Sequence, residues 1–199
     1  MSQFSLEDFT AVTVTGVNVR AEHHGPDQVP AADIKFELTT SNNILSEFDG
    51  ALKSMLYKRD EEADRQAYVD GVEPVTDLPL LRTSILEPLK LKKEYAGYTL
   101  TVDQGISDTS CIELGQCEVN NFVVDCKEGG SVTLKFRVQA SGLQPSVLGK
   151  VASLIGREVE ITLLPPNEVG EPGAAIDASS DGDWFGTKDA TDTFLEAQS

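Results

Sequence analysis

The sequence predicts an α+β fold: a mostly antiparallel β-sheet with two amphipathic helices, followed by a disordered acidic C-terminal tail. Three observations lead there. Segments with a two-residue apolar period, such as DIKFELT (33–39) and SVTLKFRV (131–138), dominate the body. Only two stretches repeat at three- and four-residue spacing, too few and too far apart for a doubly wound parallel sheet. The last 35 residues, Pro165 to Ser199, hold eight carboxylates against the single base Lys188, amid Gly, Pro, Ser and Ala. Such a segment buries too little apolar surface to offset the entropy of ordering it. The chain therefore divides into a body, 1–164, and an acidic flexible tail, 165–199.

Taken in order, Phe9 to Val19 is rich in Val and Thr and reads as a strand. Ala21 to Pro30, with Gly25-Pro26 and Pro30, reads as a loop. Asp33 to Thr39 places Ile34, Phe36 and Leu38 on one face and Lys35 and Glu37 on the other, as in a half-buried strand. Asn42 or Asn43 then caps a helix whose apolar stripe is Ile44, Leu45, Phe48, Leu52, Met55 and Leu56. Gly50 weakens that helix without being expected to break it. Asp60 to Asp70 is a charged connection, and Pro74, Pro79 and Pro88 mark an irregular section in which Leu80-Leu81 and Ile85-Leu86 pack inward.

The second half is richer in strands. Tyr98 to Val102, Ser110 to Leu114 and Glu118 to Cys126 read as three of them. Glu128-Gly129-Gly130 supplies a hairpin turn into Ser131 to Val138, since glycine accepts positive φ cheaply. Pro145 opens a short helix with Val147, Leu148, Val151, Leu154 and Ile155 on its apolar face, and Gly156 ends it. Val159 to Leu164 is the last strand, stopped by Pro165-Pro166.

Charge bounds the function. The chain carries a formal −17, of which −7 falls in the tail and −10 in the body. That field opposes non-specific binding to phosphate backbones and favours basic partners. Trp184-Phe185 and Phe194-Leu195 stand among Asp181, Asp183 and Asp192 in the tail, a pattern suited to docking on a basic protein. No stretch reaches the roughly 18 apolar residues of a membrane helix. An odd set of three cysteines and an acidic start without an apolar leader point to the cytoplasm.

Few constellations carry chemistry. Glu22, His23, His24 and Asp27 have metal-binding side chains, but adjacent histidines on extended backbone point opposite ways, and solvated loop residues are the simpler expectation. Cys111, Cys117 and Cys126 do not have zinc-site spacing and read as small apolar residues. Asp103, Asp108, Glu113 and Glu118 are dispersed. Phosphate-loop, dinucleotide, zinc-protease and nucleophile-elbow motifs are missing from the sequence. The expectation is a non-catalytic protein without cofactor or metal. Lys90, Lys92 and Lys93 form the densest basic run, beside Tyr95 and Tyr98. Lys135 and Arg137 share a strand face that can extend it, making a surface able to track single-stranded DNA with bases stacked on the rings.

The runs RAEHHGPDQVPAADIKFEL (20–38) and CIELGQCEVNNFVVDCKEGGSVTLKFRVQ (111–139) resemble a family of uncharacterised phage and prophage early-region proteins. The resemblance covers residues 1 to about 165 and transfers no site residue. It implies a bacterial cytoplasmic setting and an accessory role in recombination or replication. An acidic mimic that occupies a host nuclease or defence protein, and a virion structural β domain, are the alternatives.

Overall fold

The computed structural model describes residues 3–24, 27–60, 76–84, 87–103 and 111–166. The chain separates into a unit of residues 1–169 and a unit of residues 170–199, and the latter lies outside the described residues. So do the tail residues Asp181, Asp183, Trp184, Phe185, Asp192, Phe194 and Leu195, the connection 61–75 and Ile85-Leu86.

Strands β1 (Leu6–His24) and β2 (Asp27–Ser41) come first. A 3-10 turn (Asn42–Ile44) and two short helices, α1 (Leu45–Phe48) and α2 (Leu52–Leu56), follow. Two short strands, β3 (Tyr57–Lys58) and β4 (Leu80–Leu81), pair with each other. Next are β5 (Leu89–Leu91), β6 (Tyr95–Asp103), β7 (Ile112–Cys126) and β8 (Ser131–Ser141). Helix α3 (Pro145–Ala152) and β9 (Glu158–Leu164) complete the body.

Six of these strands close on themselves. The order is β7-β6-β9-β1-β2-β8, and β8 returns to β7. All these pairings are antiparallel. The result is mostly β, a closed barrel, where the sequence had suggested a sheet covered by helices. Closure satisfies the edge groups that an open sheet would leave unpaired.

The expected helix over 44–56 is broken into pieces. Asp49 is extended, at φ −160°, and its carboxylate accepts from the Ala51 amide at 2.8 Å. Gly50 follows, so the chain turns there and restarts as α2. The loop expected over 21–30 is also largely strand. β1 and β2 run past the barrel as a long hairpin with Val19 paired to Ala32 and Glu22 to Val29. Pro30 fits because its carbonyl is what is needed there, accepting from the Leu143 amide at 2.9 Å. The two strands read over 110–126 are one, kept continuous by Gln116 at φ 55°.

The barrel interior follows from period-two alternation. Val12 and Val14, Ile34, Phe36 and Leu38, Leu100 and Val102, Leu134, Phe136 and Val138, and Ile161 and Leu163 are all buried. Aromatic rings fill one end. Phe4, 0% exposed, stacks on Phe48 at 5.1 Å and meets Phe122 and Phe136 edge-on at 5.3 and 5.7 Å. Its carbonyl accepts from the Tyr98 hydroxyl at 2.8 Å. Phe4 is therefore part of the barrel core. Cys117 and Cys126 are buried and Cys111 is exposed; burial pushes the Cys117 thiol up to about 11.

The β7–β8 turn is locked from outside. Asn42, fully buried, accepts from the Thr76 hydroxyl at 2.7 Å and donates to the Leu78 carbonyl at 2.8 Å, while its amide N–H donates to Gly130 O at 2.8 Å. Gly130 has φ 76°, and an added Cβ would lie 2.1 Å from Thr76 Cγ2 and 3.2 Å from Pro79 Cα. Gly130→Ala combines a left-handed penalty with overpacking, for an expected loss of about 2–5 kcal/mol. A drop in urea midpoint with an unchanged m value checks this; a loss below about 0.5 kcal/mol would contradict the lock.

Candidate nucleic-acid interface

Outward-facing residues of five neighbouring strands, β1, β2, β8, β7 and β5, come into line through their register. Lys35 of β2 lies directly opposite Gly16 of β1 and Arg137 of β8, and Arg137 opposite Asn120 of β7. Two residues along, Glu37 lies opposite Lys135, Lys135 opposite Val123, and Val123 opposite Lys90 of β5. Alternation keeps the β2 and β8 members on the outer face, and the register shift between Asn120 and Val123 brings Val123 of β7 into line with them. From these rows Lys35, Lys90, Val123, Lys135 and Arg137, with Thr15 of β1 and Lys92, Lys93 and Glu94 after β5, line a cleft of about 660 Å³.

The cleft is cationic in an acidic protein. Its lining holds Lys35, Lys90, Lys92, Lys93, Lys135 and Arg137 against Glu94, a formal +5. Lys135 is partly neutralised by Glu37 at 3.0 Å. Arg137 donates to Asn120 Oδ1 at 2.8 Å and lies 3.9 Å from Asp33. Among the described residues, Lys35, Lys90, Lys92 and Lys93 have no ion-pair partner. Lys35 faces Arg137 across the strand pair, and like charges directly opposite are destabilising. The arrangement costs stability and concentrates positive potential.

Asp33 moderates that cost. It is 8% exposed and accepts from Arg20 Nε at 2.9 Å and Gln139 Nε2 at 3.1 Å. Burial pushes its carboxyl up, but those bonds and the charges of Arg20 and Arg137 outweigh burial and hold it below the usual carboxylate range. Gln139 Oε1 accepts from Asn120 Nδ2 at 2.7 Å. The network fixes Arg137 and Asn120 at the cleft edge.

Five of the seven body residues singled out from sequence, Lys90, Lys92, Lys93, Lys135 and Arg137, thus converge. The other two do not present rings to a ligand. Tyr98 is 0% exposed, and Tyr95 packs on Tyr98 and Phe122 at 5.8 Å each, with its hydroxyl enclosed. Tyr98 belongs to the core, which corrects the expectation that its ring stacks on a base, and Tyr95 packs half-buried against that core; neither lines the cleft. Gly97, at φ 82°, sits where the β6–β7 register shifts between Ala96 and Tyr98, so both tyrosines turn inward despite their odd spacing. Phe36, Phe122 and Phe136 form the cleft floor, but each is at most 2% exposed. Lys35 was missed; its signal is the shared outward parity of Asp33, Lys35 and Glu37.

Elsewhere, Glu22 is engaged by Arg20 and by the Ser141 hydroxyl. Among the described residues no cluster of three His, Cys, Asp or Glu side chains is placed to hold a metal ion. No helix among them is long and apolar enough to cross a membrane.

Barrel and cleft together define a class: a closed six-stranded antiparallel β-barrel with a cationic cleft across five adjacent strands. No family model, curated protein or solved structure matches the chain.

Proposed function

We propose that the body is a non-catalytic binding module for single-stranded nucleic acid, with the cleft as its contact surface. The observation that carries the reading is the set of four lysines without ion-pair partners among the described residues, on one face of a −17 chain. Chance placement in an acidic protein tends to pair its bases, and evenly dispersed charge would avoid the Lys35–Arg137 opposition. No exposed aromatic ring lines the cleft among the described residues, so phosphate contact replaces base stacking as the source of affinity. The tail then serves to recruit a basic partner, in keeping with the accessory role in phage DNA metabolism that the resemblance implies.

Salt dependence tests this directly. Four lysine–phosphate contacts give a slope of log K against log salt of about −3 for a single strand. Fluorescence anisotropy with a labelled oligonucleotide of roughly 12 nucleotides measures it. An absence of binding at about 50 mM salt rules the reading out.

The acidic-mimic alternative keeps one observation of its own. A second pocket is lined by Glu7, Asp8 and Glu47 with Ser5, Thr10, Thr40, Ser41 and Asn43, a surface suited to a cationic side chain. Salt-sensitive capture of a nuclease, with no binding to DNA, would favour it.

A further inference from the structure

We infer that Asn121 reads a base edge in the cleft and selects adenine within a bound single strand; this rests on the single-strand reading above. Simple alternation along β7 sends Asn120 outward, Asn121 into the barrel and Phe122 into solvent. The register shift between Asn120 and Val123 reverses the last two. Asn121 is exposed and lines the cleft, whereas Phe122 is 1% exposed. Bulges re-aim side chains in this way beside functional sites.

Asn121 is held at φ 57°, a conformation glycine adopts without penalty. Its amide makes no hydrogen bond to any described residue, while the adjacent Asn120 bonds Glu118, Gln139 and Arg137. The other uncharged polar side chain lining the cleft, Thr15, donates to the Lys35 carbonyl at 3.2 Å. Asn121 is therefore the neutral hydrogen-bonding group left unspent among six cations. Lysines on phosphates position a strand but carry no sequence information. An asparagine amide offers an acceptor and a donor side by side, the complement of the adenine N6 donor and N7 acceptor. In a single strand those edges are unpaired and within reach.

The test compares two labelled strands of roughly 12 nucleotides, one all thymine and one with central adenines, on the full chain and on Asn121→Gly. The full chain is expected to bind the adenine strand about fivefold more tightly or better. Asn121→Gly is expected to lose that preference, keep the salt slope, and melt no lower than the parent, since glycine suits the bulge. Equal binding of both strands by the parent overturns the inference alone. So does a preference that survives Asn121→Gly, or a variant whose two affinities fall equally. Binding of neither strand by the parent overturns the single-strand reading and the inference with it.

Discussion

Reversing Lys90, Lys92 and Lys93 to glutamate is expected to lower affinity for single-stranded DNA by more than a hundredfold at about 0.1 M salt. Each phosphate neutralised on a single strand contributes roughly the inverse salt concentration to the power 0.7, which is about fivefold at that salt. Three such contacts account for about a hundredfold, and the reversed charges add repulsion. The slope of log K against log salt should flatten by about 2. The three residues are exposed and lack ion-pair partners among the described residues, so the melting temperature should move little. Anisotropy across a salt series, with thermal melts of parent and variant, reads all three quantities. An affinity within threefold of the parent at low salt would remove the cleft from any role in binding.

Phe4→Ala is expected to cost about 3–5 kcal/mol, the largest loss of stability from any single truncation considered. The ring is fully buried and packs against Phe48, Phe122 and Phe136, so its removal leaves a cavity among rigid aromatic neighbours that cannot collapse to fill it. The Tyr98 hydroxyl bonds the Phe4 carbonyl and survives the change in principle, which isolates the packing contribution. A protein of this size loses about 2–4 °C of melting temperature per kcal/mol, so the shift should be near 10 °C. Phe4→Leu, which keeps most of the volume, should lose much less. A loss under about 1 kcal/mol for the alanine variant would mean that Phe4 is not part of the barrel core.

The cleft was more legible in the sequence than the barrel that carries it, for a physical reason. Alternation is local, so SVTLKFRV already places Lys135 and Arg137 together on the outer face. The same rule applied to YTLTV groups Tyr98 with Leu100 and Val102, which marks it as core; its neighbour Lys93 invited a different reading. Tyr95 needed knowledge of the Gly97 irregularity, which no local pattern supplies. Lys35 becomes a cleft residue only through pairing of β2 with β8, and the intervening chain of about a hundred residues leaves no trace of that pairing in composition. Closure depends on β1–β9 and β7–β8 together, the first of them joining opposite ends of the body. The helix over 44–56 failed where Asp49 and Gly50 together outcompeted an apolar stripe, a balance that stripe counting does not weigh.

Pairing of Leu6 with Leu163 ties the earliest strand to the latest. During translation β1 must wait for nearly the whole body to be made before its partner emerges. Until then β1 and β6 both present bare edges, open to any passing strand from another nascent chain. Assembly is accordingly slow by topology, and yield in the cell should respond to growth temperature and chaperone supply more sharply than the stability of the finished barrel alone would suggest.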